Sequence, residues 1–303
     1  MLTGPDRRSY LQGLLTNDIE ALTAGTGCYA AMLTAQGRMI TDMRVFELGD
    51  GVLLELPADV TVAIRDHLDR FIFSEDVKVE DVSSARGALG LYGPNALELL
   101  QPAGVEGSAP AELYASSRIR VGGVGALLVR TDEIGAAGYE FIAAVADLPA
   151  IRTTLLAAGA IPASESDVDI ARVENGHPRF GVDMDADTIP LEAGIESRAI
   201  SRTKGCYVGQ EVIVRVQDRG HGRVARRLVG LTLDAASAVP SRGAAVSSGD
   251  KDAGRVTSAV FSPALARPIA LAYVHRDFVA SGTRVQVAGS GEAIVSALPF
   301  VPR

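Results

Sequence analysis

Residues 189–211 read IPLEAGIESRAISRTKGCYVGQE, and the last eight of them, KGCYVGQE at 204–211, carry the most specific chemistry in the chain. Lys204 stands two residues from Cys206, with Gly205, Tyr207 and Gly209 around the thiol. A neighbouring ammonium lowers a thiol's pKa toward the reactive thiolate, and glycines let the backbone approach a ligand closely. A buried thiol in a glycine-rich turn is the other reading of the same letters. No histidine stands near Cys206, which leaves a protease-like Cys–His pair without support. Composition adds weight to the lysine: the chain has 26 arginines but only three lysines, Lys78, Lys204 and Lys251.

Working outward, segment 198–227 has a net charge of +6 while the rest of the chain carries −14, so the overall −8 conceals a basic island. Such asymmetry implies an anionic ligand or partner met locally; a solvated surface hairpin is the alternative. RGHGRVARR at 219–227 suggests RNA contact, but Tyr207 is the region's only stacking aromatic and the pI is near 5.1, which disfavours a dedicated nucleic-acid binder. Upstream, RVENGHPRFGVDM at 172–184 sets Glu174 near Gly176, between Arg172 and Arg179. A carboxylate accepts two parallel hydrogen bonds and so suits a planar ring with adjacent N–H and amino donors. An ion pair with a neighbouring arginine is the alternative, and His177, preceding Pro178, reads as structural.

The flanks supply the framework. Tyr10, Leu11, Leu14, Leu15 and Ile19 have helical spacing over 7–20, and 28–56 reads as a three-strand meander turning at Gln36-Gly37 and Gly49-Asp50-Gly51. A helix over 57–73 and a strand in DVKVEDV follow. The stretch 85–158 repeats that arrangement, with a helix at ALELL, strands GALLVRT and GYEFIAAV, and a helix over 148–159 with proline near its start and glycine at its end. From about residue 225, RRLVGLTL, GAAVSS, AGRVTSAVF, PIALAYV and TRVQVAG predict a small β-barrel. The expected class is therefore α+β, with two α+β modules and a C-terminal β-barrel domain.

The 303 residues suit two or three domains, and 47% hydrophobic with 22% charged residues exclude disordered, collagenous and disulfide-scaffold classes. Two distant cysteines and four histidines predict no resident metal. No apolar run reaches the roughly 18 residues of a membrane span, and MLTGPDRRSYL breaks any signal-peptide pattern with charge. The expected location is the cytoplasm, with both thiols reduced.

At these motifs the sequence resembles the folate-binding YgfZ family, relatives of the glycine cleavage T-protein that include mitochondrial iron–sulfur assembly factors. The resemblance spans nearly the whole chain: YLQGLLTNDI at 10–19, GRMITDMRVF at 37–46, GLYGPNALELL at 90–100, RVENGHPRFGVDM, the opening stretch, and GRVTSAVFSPALARPIALAYV at 254–274. It implies a tripartite ring in which 1–80 combine with 160–224, 81–159 form an inserted module, and 225–303 form the barrel.

The implied cofactor is tetrahydrofolate or a one-carbon-substituted folate. Glu174 matches a pterin-holding carboxylate. Arg202 lies within one residue of a folate-contacting arginine, whose guanidinium suits the glutamyl tail. Lys204 and Tyr207 join them as cofactor-binding candidates, with Cys206 as a functional or redox thiol. T-proteins carry paired aspartates where this chain reads Thr41-Asp42, so one carboxylate remains as acid/base candidate. The resemblance thus implies a non-enzymatic tetrahydrofolate-binding factor supporting iron–sulfur cluster assembly or repair. Its partners would be client enzymes and the assembly machinery, with an indirect link to tRNA modification and none to DNA or membranes. The alternative is a folate-dependent aminomethyltransferase or demethylase using Asp42.

Overall fold

Strand alternation in the first 80 residues sets the positions of everything that follows. In the computed structural model, which describes residues 1–219 and 222–301 (the side chain of Arg219 excepted), a five-stranded sheet forms from β1 (Leu2–Thr3), β2 (Gly27–Leu33), β3 (Met39–Glu47), β4 (Val52–Glu55) and β5 (Lys78–Val79), in the order β2-β3-β4-β1-β5. Ala30, Met32, Met43 and Val45 point to one face, where α1 (Arg7–Leu14) and α2 (Thr61–Asp69) cover them with Leu11, Ile64 and Leu68, joined by Leu15 just beyond α1. Tyr29, Ala31, Leu33 and Phe46 point to the other. Because side chains alternate with period two, Asp42 and Arg44 share that second face.

Within the short helix and turn expected over 7–20, the helix ends at Leu14 and Leu15 is extended. Polar side chains beyond it bond to distant backbone instead: Thr16 Oγ1 donates to the Ala199 carbonyl at 2.6 Å, and Asn17 Nδ2 to those of Tyr29 and Arg198 at 2.8 and 3.0 Å.

A second antiparallel sheet, ordered β6-β9-β8-β7, comprises β6 (Arg86–Tyr92), β7 (Ser116–Val121), β8 (Val124–Thr131) and β9 (Gly138–Ala144). Helices α3 (Ala96–Leu99) and α4 (Leu148–Ala157) cover one face, and Leu127, Val129 and Ile142 on the other join the core behind Tyr29 and Phe46. Helix α5 (Glu165–Glu174) starts at a capping box of Ser164 and Asp167, and short helices α6 (Pro190–Ala193), α7 (Glu196–Ala199) and α8 (Gln210–Val214) follow.

The C-terminal region closes into a six-stranded barrel of β10 (Arg226–Leu233), β11 (Ala245–Ser248), β12 (Lys251–Ser262), β13 (Arg267–His275), β14 (Arg284–Val287) and β15 (Gly291–Ser296). The sixth strand, GEAIVS, was not among the five predicted; it pairs with both β10 and β14 and thereby closes the barrel. DVKVEDV contributes only Lys78–Val79 as strand. The expected α+β class with its barrel domain is the observed architecture. Gly220 and His221 of the RGHGRVARR stretch, and the side chain of Arg219, lie outside the described residues.

Candidate functional site

The sheet face that bears Asp42 opens onto a cavity of about 400 Å³, walled by Tyr29, Arg44, Glu55, Glu133, His177 and Arg198 among others. Strand register brings three of these together: Ala31 pairs with Asp42, Tyr29 with Arg44, and Arg44 with Glu55. Tyr29 donates its hydroxyl to Asp42 Oδ2 at 2.6 Å. Burial raises the Asp42 pKa, while the Tyr29 bond and the charges of Arg198 and Arg44 oppose the rise. Burial and the Asp42 charge hold the Tyr29 phenol far above its ordinary pKa, so it remains a donor.

Arg198 lies over the Tyr29 ring, 4.3 Å from its centroid, and contacts His177 Nε2. His177 Nδ1 stands 2.6 Å from the Glu133 carbonyl oxygen. That oxygen only accepts, so the proton is assigned to Nδ1 and Nε2 accepts from Arg198. The second sheet, the segment after α5, α7 and the first sheet thus all converge on the cavity that holds Asp42.

Arg44 forms the floor. Its Nη2 meets Glu55 Oε1 and, at 2.6 Å, Glu140 Oε2; its Nη1 donates to Thr131 Oγ1 at 2.9 Å, and Glu133 stands 3.7 Å from Nε. Burial foremost, then the Glu140 charge, push Glu55 up to about 8 despite Arg44.

The structure separates the six residues that the sequence singled out. Asp42 lines the cavity. Lys204 does not: its ammonium donates to the carbonyls of Gln12, Leu15 and Asn17 at 2.6, 2.5 and 2.9 Å, just beyond α1 and at its last turn. All three of its N–H donors are used, which makes it a clamp on the end of α1 rather than a ligand hand. Tyr207 packs beside that ammonium, 5.1 Å from ring centroid to Nζ, and with the exposed Arg202 lines a separate cleft of about 380 Å³ next to α8. Glu174 turns toward the barrel, where Oε1 accepts from Ser262 Oγ at 2.5 Å, so its carboxylate joins α5 to β12. Cys206 is an exposed free thiol; Cys28 is a free thiol pushed up to about 12 by burial and therefore inert.

Of the two glycines in KGCYVGQE, Gly209 has a steric reason and Gly205 faces open space. Gly209 has φ +84°, and a Cβ there would lie 2.5 Å from the Thr34 carbonyl oxygen and 3.2 Å from Gly37 Cα. The signature loop and the β2–β3 turn are thereby packed backbone to backbone.

Tyr29, Arg44, Glu55, Glu133 and Arg198 were not singled out from sequence. The i, i+2 spacing of Asp42 and Arg44 within an alternating strand was the available signal for Arg44; the others depend on contacts between distant segments.

The GCVT N-terminal domain model matches residues 1–204, and the glycine cleavage T-protein C-terminal barrel domain matches 226–302. A protein named aminomethyltransferase from Rubrobacter xylanophilus is 34% identical over 271 residues, covering 89% of this chain and 72% of the relative. One of the same name from Moorella thermoacetica is 32% identical, covering 100% and 83%. The crystal structure of glycine cleavage system aminomethyltransferase T from Bartonella henselae shares the fold, with a TM-score of 0.84 at 23% identity over 99% of this chain and 82% of that one. With both domains matched in order and relatives this similar along almost its full length, the chain belongs to the glycine cleavage T-protein family.

Proposed function

We propose that the protein is a folate-dependent one-carbon transferase of the aminomethyltransferase type, with tetrahydrofolate bound in the cavity at Asp42. The observation that carries this reading is the hydrogen-bonded, half-buried Asp42 on the cavity wall, in a chain whose relatives are named aminomethyltransferases. Those names put the transferase reading ahead of the assembly-factor reading suggested by KGCYVGQE.

The residues present fit a folate. The cavity volume lies within the roughly 300–1,000 Å³ of small-molecule sites. Asp42, Glu55 and Glu133 offer carboxyl acceptors for pterin N–H groups, and Arg179 and Arg198 offer positive charge to an anionic tail. When bound, tetrahydrofolate supplies the nitrogen that receives the one-carbon unit. Within the chain, Asp42 takes up and returns the proton, while Tyr29 fixes the direction of its carboxyl group and Arg198 holds the Tyr29 ring in place. Asp42 is the one carboxylate at the position where T-proteins carry two.

Calorimetric titration with tetrahydrofolate, joined to turnover assays on a panel of methylated and aminomethyl donors, tests the proposal. Folate binding by wild type and by Asp42→Asn, with turnover in wild type alone, supports it. Absence of binding by the wild type refutes it.

A second reading has one observation of its own: the thiol of Cys206 is exposed, outside the cavity, in the signature that resembles the YgfZ branch. Under it the protein is a cytoplasmic tetrahydrofolate-binding factor for iron–sulfur client enzymes and their assembly machinery, and through them for tRNA modification. Two cysteines cannot supply the four thiolates of a standard cluster, so Cys206 would contact a cluster or client only in passing. Folate binding without turnover, and loss of client activity in cells carrying Cys206→Ser, would favour this reading.

A further inference from the structure

The cluster on Arg44 has more acid than its single guanidinium can balance. Glu55 comes from the neighbouring strand, Glu140 from β9 and Glu133 from the β8–β9 loop. The side chains of Arg44 and Glu140 are only 7% and 10% exposed, and that of Glu55, on the cavity wall, is 26% exposed. Glu55 and Glu140 meet at the same nitrogen, Nη2, so two carboxylates are held side by side in a region poor in solvent. Oε2 of Glu55 is buried without a hydrogen-bond partner, and Oε2 of Glu140 touches Arg44 without hydrogen-bond alignment. Two adjacent carboxylates, one buried and one with a buried oxygen, do not both ionise readily, and one proton between them turns a pair of bare acceptors into a donor and an acceptor.

On the cavity side the surroundings do not supply the missing positive charge. On the cavity side Glu55 faces Asp42, Asp59 and Glu133, with Arg44, Arg179 and Arg198 as the cations and His177 accepting from Arg198. Tyr92 on β6 also lies near enough to feel these charges. On the far side of β4, a groove shares Glu55 with the Met1 amino group, Arg65, Glu80, Asp81 and Arg86. Counting Glu140, five carboxylates stand against three guanidiniums around the cavity.

We propose that Glu55 and Glu140 share one proton at neutral pH and form a second proton-exchanging site of the cavity, distinct from Asp42, which gives up that proton when a positively charged group enters. The proton leaves Glu55 Oε2 for solvent, both carboxylates become anionic, and the entering cation replaces its charge, so the net charge of the cavity is unchanged. The elevated pKa of Glu55 agrees with this. The proposal deepens the transferase reading and rests on it only for the cavity being where a ligand enters.

Infrared spectra of the full chain between pH 6 and 9 test it through the carboxylic-acid C=O band. The wild type should show a band that fades as pH rises through about 8, persists in Asp42→Asn and is lost in Glu55→Gln. Glu140→Gln, which also breaks the shared-proton pair, should shift that band. Methylammonium chloride should release a proton from the wild type and none from Glu55→Gln, while sodium chloride at equal concentration releases none. A spectrum unchanged by Glu55→Gln, or no release by methylammonium, overturns the proposal. Calorimetry with tetrahydrofolate on the same samples separates the two readings: folate binding without the band refutes the shared proton alone, and the band without folate binding refutes the transferase alone.

Discussion

The hydroxyl of Tyr29 donates to Oδ2 of Asp42 at 2.6 Å, tying β2 to β3 on the face that looks into the cavity. Burial disfavours the charged carboxylate, and this bond favours it. Burial thus dominates the acidity of Asp42, and a partner 13 residues away, brought alongside by a strand turn, opposes it.

Tyr29→Phe removes the donor and leaves the burial. The Asp42 pKa should rise further, so the acid limb of any turnover profile moves to higher pH, with a stability loss of about 1–3 kcal/mol. An NMR titration of the Asp42 carboxyl carbon checks the direction; a downward shift contradicts the account.

Arg44→Met leaves Glu55, Glu133 and Glu140 without their cation. Stability should fall by roughly 3–5 kcal/mol, as for other broken buried pairs. Without the guanidinium the three carboxyls retain protons in the folded state that the unfolded chain releases, so the loss should be larger at pH 8 than at pH 6 in urea titrations.

Glu55 sets a pH dependence in the wild type itself. Its pKa is about 8 when folded and about 4.3 when unfolded, so between those values the folded chain holds the extra proton. The stability contributed by this proton is full below the unfolded value, declines as pH rises through this window, and is lost above about 8. Glu55→Gln should flatten that part of the stability curve, and an unchanged slope would contradict the assignment.

Lys204→Met strips the donors from three backbone carbonyls beside α1. The expected cost is about 3 kcal/mol, read by urea denaturation, with tetrahydrofolate affinity retained where the variant is folded. Lost affinity with intact stability would return Lys204 to the binding site.

Gly209→Ala forces a Cβ against the Thr34 carbonyl at a left-handed backbone position. It should destabilise by about 2 kcal/mol or more and loosen the packing of the signature loop on the β2–β3 turn. Protease susceptibility of that loop provides the measurement.

The part of the candidate site legible in the sequence is Asp42, whose carboxylate stands at a motif position within an alternating strand and lines the cavity. Lys204 and Glu174 were conspicuous by type and spacing, yet one ammonium is saturated by three carbonyls and one carboxylate is engaged by Ser262. A motif reports that a side chain is needed at a position; it does not report whether a ligand or the fold uses it.

From sequence alone, period-two alternation and helical spacing sufficed for the α+β class, the meander and most of the barrel, because those patterns depend on which neighbours along the chain share a face. Tertiary structure decided where α1 stops, which strand closes the barrel, and which side chains surround Asp42. Those outcomes depend on contacts between segments far apart in the chain: Thr16 with Ala199, β15 with β10, Arg198 with Tyr29, and Glu140 with Arg44. Local periodicity carries no information about such pairs, since each joins segments far apart in the chain.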